Sequence, residues 1–311
     1  MSPALLLDRL GRHGTLVLAG GALFGLSLPQ LSALARPALG PLVMVLLALA
    51  LMRVRWAEIL AQVRRPAVVG LAAVWLLVAS PALMAGALAL VGPVAAPGVE
   101  TGMVLMAASA PIVSAPAIAL MMGLPLPLSL SVTLLATVLV PLSVPWVAAG
   151  MLHLPVTLDA AMLGQRMAMV VAGGLLLALL GRRVTSEAWR TRHARRLDGV
   201  AVLVLFAFAL AVMDAVTAPL AADPARVLRL IGLSFVLCGG MMAATALVFA
   251  PFGRAAALGL GYIASSRNMG VILAALPAGA HPEVALWFAV AQFPLYMLPA
   301  LIRPLVRRLS F

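Results

Sequence analysis

The residues best suited to chemistry lie in two short segments, and each interrupts a long apolar run. The first is Ala108-Ser109-Ala110-Pro111-Ile112-Val113-Ser114-Ala115-Pro116. A proline inside a helix removes a backbone hydrogen bond and clashes with the preceding turn. Two prolines in one such run predict an unwound stretch. In lipid, the freed backbone groups need protein or a wet cavity around them. A simple kink is the plainer reading; two prolines with serines nearby favour a break that lines a cavity. The second segment is Ala264-Ser265-Ser266-Arg267-Asn268-Met269-Gly270. An arginine at the bilayer centre costs about 2.5–3.5 kcal/mol on insertion scales, so it must be paired. Arg267 can bond the open carbonyls of the first break, bind an anionic substrate, or do both. Ser114, Ala115, Pro116, Ser265, Ser266, Arg267 and Asn268, with Gln292 nearby in the last apolar run, are the expected substrate-binding residues.

Other chemistry has little support. The one cysteine, Cys238, lies in an apolar run, which leaves no disulfide framework and no CxxC metal site. His13, His153, His193 and His281 are far apart and form no HExxH motif. No nucleophile, acid pair or metal cluster stands out near mid-membrane. The expectation is therefore a protein that is not an enzyme and carries no cofactor.

These segments must be positioned by membrane-spanning helices. The chain has 311 residues, 64% of them hydrophobic and 10% charged, with a mean hydropathy of +1.16. Soluble domains carry roughly 45–50% apolar and about 25% charged residues, so lipid must be the solvent for most of this surface. The net charge of +12 comes entirely from arginine, in short stretches between apolar runs. That distribution forms no single basic face and argues against a nucleic-acid partner. The absence of lysine suggests GC-rich coding and a bacterial source.

Spanning helices need about 20 apolar residues. Segments near 14–34, 38–52, 67–91, 101–122, 126–150, 160–181, 199–221, 226–249, 255–276 and 284–304 qualify or come close. The first follows Arg9, Arg12 and His13 but lacks a clear cleavage site, so it reads as a span rather than a signal peptide. With the N-terminus in the cytoplasm, most arginines fall on inner segments, and the outer loops hold only Arg36, Arg226 and Arg229. This positive-inside bias predicts ten spans with both termini cytoplasmic, in a bacterial inner membrane. Trp56, Ile59, Leu60 and Val63 suit a short surface helix. Residues 182–198, with arginines around Trp189, read as a solvated linker touching anionic lipid headgroups, in preference to any binding role. Gly21 and Gly25, and the pairs Gly173–Gly174 and Gly239–Gly240, would allow close helix approach.

The 182–198 linker divides the chain into residues 1–158 and 159–311, five spans each. Five is odd, so the halves would have inverted topology, as in many secondary transporters. Ser114 precedes Pro141 by the same spacing as Arg267 precedes Pro294, which matches the fourth and ninth spans and the fifth and tenth.

The stretch Gly102–Pro145 resembles the sodium/bile acid symporter family, in the Pro-containing small-residue segment and in Leu128-Ser129-Leu130-Ser131-Val132-Thr133. Gly261–Asn268 resembles that family's ninth-helix motif through Asn268. The resemblance covers most of the chain by layout, with few specific motifs. It implies an all-α fold in which spans one, two, six and seven form a panel. Spans three to five and eight to ten would form a core, with broken helices four and nine crossing. A small organic anion would bind between the two parts, and alternating access would move it. Ser114, Ser129, Thr133 and Asn268 would be the remnant of a sodium site. The family's asparagine in helix four is replaced by Ala115 or Pro116, its glutamate by Ile263 and its glutamine by Arg267. A hard cation needs oxygen ligands and net negative charge, so these changes argue against ordinary sodium coupling. Transport would then be sodium-independent. An arsenite-efflux carrier would need a cysteine in the fourth span; an auxin-type efflux carrier shares the crossing helices. A membrane sensor or scaffold would carry an added soluble domain. No obligate protein partner is expected.

Overall fold

A computed structural model describes residues 14–54, 66–124, 126–151, 159–277, 279 and 281–309. The expected surface helix at Trp56–Val63 falls outside them. Among the described residues the regular structure is helical, apart from one isolated β-bridge. Six helices are long and apolar enough to cross a membrane: Pro29–Met52, Pro66–Val91, Pro127–Gly150, Ala160–Val184, Pro224–Val248 and Pro282–Pro304. A seventh candidate, Ala194–Val212 with Asp214–Ala222, is bent by 41°.

The N-terminal region differs from expectation. Helix α1 (Gly14–Ser27) stops before Pro29 rather than running to residue 34. Leu28, held at φ −128° and ψ 73°, is displaced from helical geometry, as the residue before a proline commonly is. Helices α2 (Pro29–Ala35) and α3 (Leu39–Met52) then join through one 3-10 turn into a single apolar run.

The next elements are α4 (Pro66–Val74), a π-helical turn (Trp75–Ala79) and α5 (Ser80–Val91). The first broken segment is α6 (Pro97–Ala108) and α7 (Ala115–Met121), followed by α8 (Leu126–Met151) and α9 (Ala160–Val184). A short α10 (Glu187–Arg192) leads into the bent pair α11 (Ala194–Val212) and α12 (Asp214–Ala222). After α13 (Pro224–Val248) comes the second broken segment, α14 (Arg254–Ser265) and α15 (Met269–Ala275). Helices α16 (Pro282–Val290) and α17 (Gln292–Leu309) complete the described chain.

Three short helices form the centre. Residues Val99 and Thr101–Ala108 of α6, Gly259–Ser265 of α14 and Val284–Val290 of α16 are buried on every side. A helix apolar all round belongs inside protein. Around them, long helices turn Leu176, Leu179, Val236 and Leu247 outward, as expected where lipid is the solvent.

Helices α1, α11, α3 and α9 pack in a row, α1 on α11, α11 on α3 and α3 on α9, with glycine at the contacts. A Cβ on Gly25 would lie 2.7 Å from Met213 Cβ, and one on Gly174 would lie 2.7 Å from Leu47. The pair Gly239–Gly240 is different: a Cβ there meets nothing within 4 Å. Those glycines do not mark a contact among the described residues.

Candidate functional site

The two broken segments meet. Ile112 N donates to Ser266 O at 2.8 Å, and Asn268 N donates to Ala110 O at 2.7 Å, which pairs Pro111 with Arg267 as an antiparallel bridge. Each break thus satisfies backbone groups of the other, as unwound chain at membrane depth requires. The residue that faces Arg267 across the bridge is Pro111, a contact that the sequence spacing does not address. The first break unwinds residues 109–114 and the second only 266–268, and the bridge forms within both.

Arg267 holds the crossing together. Its side chain is 1% exposed. Nε donates to Ala264 O at 2.7 Å, Nη1 to Ser109 O at 2.7 Å and Leu76 O at 3.2 Å, and Nη2 to Ser80 Oγ at 2.9 Å. Four of the five guanidinium N–H groups are therefore committed to protein oxygens. Ser109 O lies just past the end of α6, and Ala264 O lies in the last turn of α14. A helix C-terminus carries roughly half a negative charge, so two of them together offset about one guanidinium. No carboxylate is among these partners.

Leu76 O is open for a local reason. In the π turn, Ser80 N donates to Trp75 O, five residues back, and passes over Leu76. The next residue, Pro81, has no N–H. Arg267 takes the carbonyl that neither can serve. This third anchor was not anticipated from sequence, although Ser80-Pro81 inside an apolar run was the signal for it.

The other candidate residues divide into used and unused groups. Ser265 Oγ donates to Tyr262 O within its own helix at 2.8 Å. Ser266 is buried and serves through its carbonyl. Ala115 and Pro116 are buried at the start of α7. Gln292 donates to Phe288 O, one turn back, at 3.2 Å and has no hydrogen bond to the crossing. Ser114 is exposed, Asn268 is half-buried, and neither side chain has a hydrogen bond among those described. Asn268 Oδ1 lies 3.4 Å from where a Cβ on Gly270 would stand, and Val43 and Phe208 each lie 3.3 Å from that point. Asn268 therefore sits at the seam where the crossing meets α3 and α11.

Ser129 and Thr133 lie on α8, both buried. Thr133 Oγ1 has no hydrogen-bond partner among the described residues, and Ser129 Oγ lies 3.0 Å from the Cβ position of Gly259 on α14. No hydrogen bond joins either to Ser114 or Asn268 among the described residues. There is likewise no group of three or more His, Cys, Asp or Glu side chains placed to hold a metal ion. Asp214 at the bend pairs with Arg36 at 2.8 Å and ties α12 to the turn between α2 and α3.

No protein-family model matches the chain, and no curated protein matches it either.

Proposed function

We propose that this chain is a secondary membrane transporter of a small organic anion, working by alternating access, in which Arg267 is a fixed cation built into the helix crossing. The observation that carries this reading is the pairing of two interrupted helices at Pro111 and Arg267. Transporters place substrate where discontinuous helices meet near mid-membrane. The six long helices, the bent pair, the two broken segments and α1 together suit ten spans in two inverted halves. Packing supports a division into two bodies: α1, α11, α3 and α9 pack in a row, while α6, α8, α14 and α16 surround the crossing.

The residues present do not fit a sodium ion. The carbonyls that end α6 and α14 are taken by a guanidinium. A second cation beside it would meet repulsion, and Ile263 offers no oxygen ligand. Substrate binding in this account is independent of sodium. Arg267 does not contact substrate; Asn268 at the seam and the exposed Ser114, neither with a side-chain hydrogen bond among the described residues, are the polar groups that do.

Counterflow in proteoliposomes tests the transport claim. Vesicles preloaded with a pool of small carboxylates and sulfonates should accumulate at least one labelled member of that pool. Absence of exchange for every member, with folded protein present, would contradict it.

A further inference from the structure

We infer that the arginine-rich ledge formed by Arg183, α10 and the start of α11 is a binding surface for anionic phospholipid headgroups. Its position between two lipid-facing stretches is the first argument. Leu176, Leu177, Leu179, Leu180 and Val184 are exposed along α9, and Leu203 is exposed between the second and third turns of α11. Apolar outward surface ends where the arginines begin, which is where headgroups lie.

The second argument is charge. Arg53 pairs with Asp198; Arg182 donates to Val54 O at 2.9 Å; Arg190 donates to Thr185 O at 2.5 Å. These arginines fasten the ledge to α3 and to its own backbone. Arg183, Arg192, Arg195 and Arg196 are exposed and have no ion pair or hydrogen bond among the described residues. Glu187 and Asp198 are the only acids from 182 to 198, and Asp198 is already engaged. The surplus is positive and faces outward.

The third argument is order. The segment expected to be a solvated linker is a helix, with Ser186 Oγ accepting from Trp189 N at 3.1 Å as its cap. Trp189 stacks on His193 with ring centroids 4.5 Å apart and stays 43% exposed. An amphipathic ring beside free cations suits a membrane surface. Arg192 ends α10, and Arg195 and Arg196 lie in the first turn of α11, which gathers the three exposed arginines within five residues of chain.

The test mixes the purified full chain in detergent with phosphatidylglycerol and phosphatidylcholine at equal concentration, and reads retained lipid by native mass spectrometry. Wild type should prefer phosphatidylglycerol. Each arginine near a charged surface strengthens attraction by about five-fold, so Arg192→Gln/Arg195→Gln/Arg196→Gln together should weaken retention by about a hundred-fold. The corresponding triple lysine variant should keep the preference, and Arg226→Gln/Arg229→Gln should not alter it. High salt should erase it in wild type without any mutation. Excess inorganic phosphate should leave the lipid bound. Equal retention of both lipids, an unchanged preference in the glutamine variant, or displacement by phosphate would overturn the proposal.

Discussion

The guanidinium of Arg267 donates to the carbonyl of Ser109 across 2.7 Å, although the two residues lie 158 positions apart in the chain. That bond joins the ends of two half-helices, α6 and α14, which otherwise would point two negative dipoles at each other.

Removing the guanidinium should unlock the crossing. Arg267→Ala leaves the carbonyls of Ala264, Ser109 and Leu76 and the Ser80 hydroxyl without their donor. Breaking a buried charged network of this kind costs about 3–5 kcal/mol. The thermal unfolding midpoint in detergent should fall sharply. Arg267→Lys should recover only part, since an ammonium cannot reach the same fork of acceptors.

Ser80 should be coupled to Arg267. Ser80→Ala should cost about 1–2 kcal/mol in wild type, and almost nothing once Arg267 is already alanine. A double-mutant cycle measures this coupling. Equal costs in both backgrounds would show that the hydroxyl acts alone.

Asn268 and Arg267 should separate binding from stability. Asn268 is half-buried without a side-chain hydrogen bond, so Asn268→Ala should change the unfolding midpoint by little. It should abolish stabilisation by any small carboxylate that protects wild type. A carboxylate that protects wild type and Asn268→Ala alike would remove this residue from the substrate seam.

The two kinds of glycine should respond differently. Gly25→Ala places a methyl 2.7 Å from Met213 Cβ, and overpacking of this kind costs about 1–3 kcal/mol. Gly239→Ala and Gly240→Ala meet nothing within 4 Å and should leave thermal stability unchanged or slightly raised.

His281 gives a pH dependence with a fixed sign. Partial burial lowers its pKa below the ordinary value of 6.5. As pH falls through the unfolded value, the unfolded chain takes up the proton first. Stability should therefore decline over that window and level off below the folded value. His281→Gln should flatten this part of the profile in thermal unfolding at graded pH.

The breaks were legible in the sequence because proline and consecutive polar residues cannot continue a helix in lipid at no cost. Pro111, Pro116 and Arg267 announced them, and the long apolar runs announced most spans. What stayed hidden was pairing across the chain. Equal spacing relates Ser114 and Arg267 as equivalent positions of two repeats and does not say which residue faces Arg267; the bridge forms at Pro111. The partner of Asp214 proved to be Arg36, 178 residues away, and ion pairing over that distance leaves no local pattern. Ser80 and Pro81 carried a visible signal, but its meaning depended on a guanidinium arriving from α14. The stop before Pro29 was readable in principle; the apolar run on both sides concealed it.

The central claim is that a fixed guanidinium stands where a dissolved cation would otherwise neutralise the crossing. The most direct test takes the carboxylate or sulfonate that most stabilises the purified protein and measures its binding in sodium and in choline at equal ionic strength. Equal affinity in the two salts is the predicted result. A steep requirement for sodium would contradict the account.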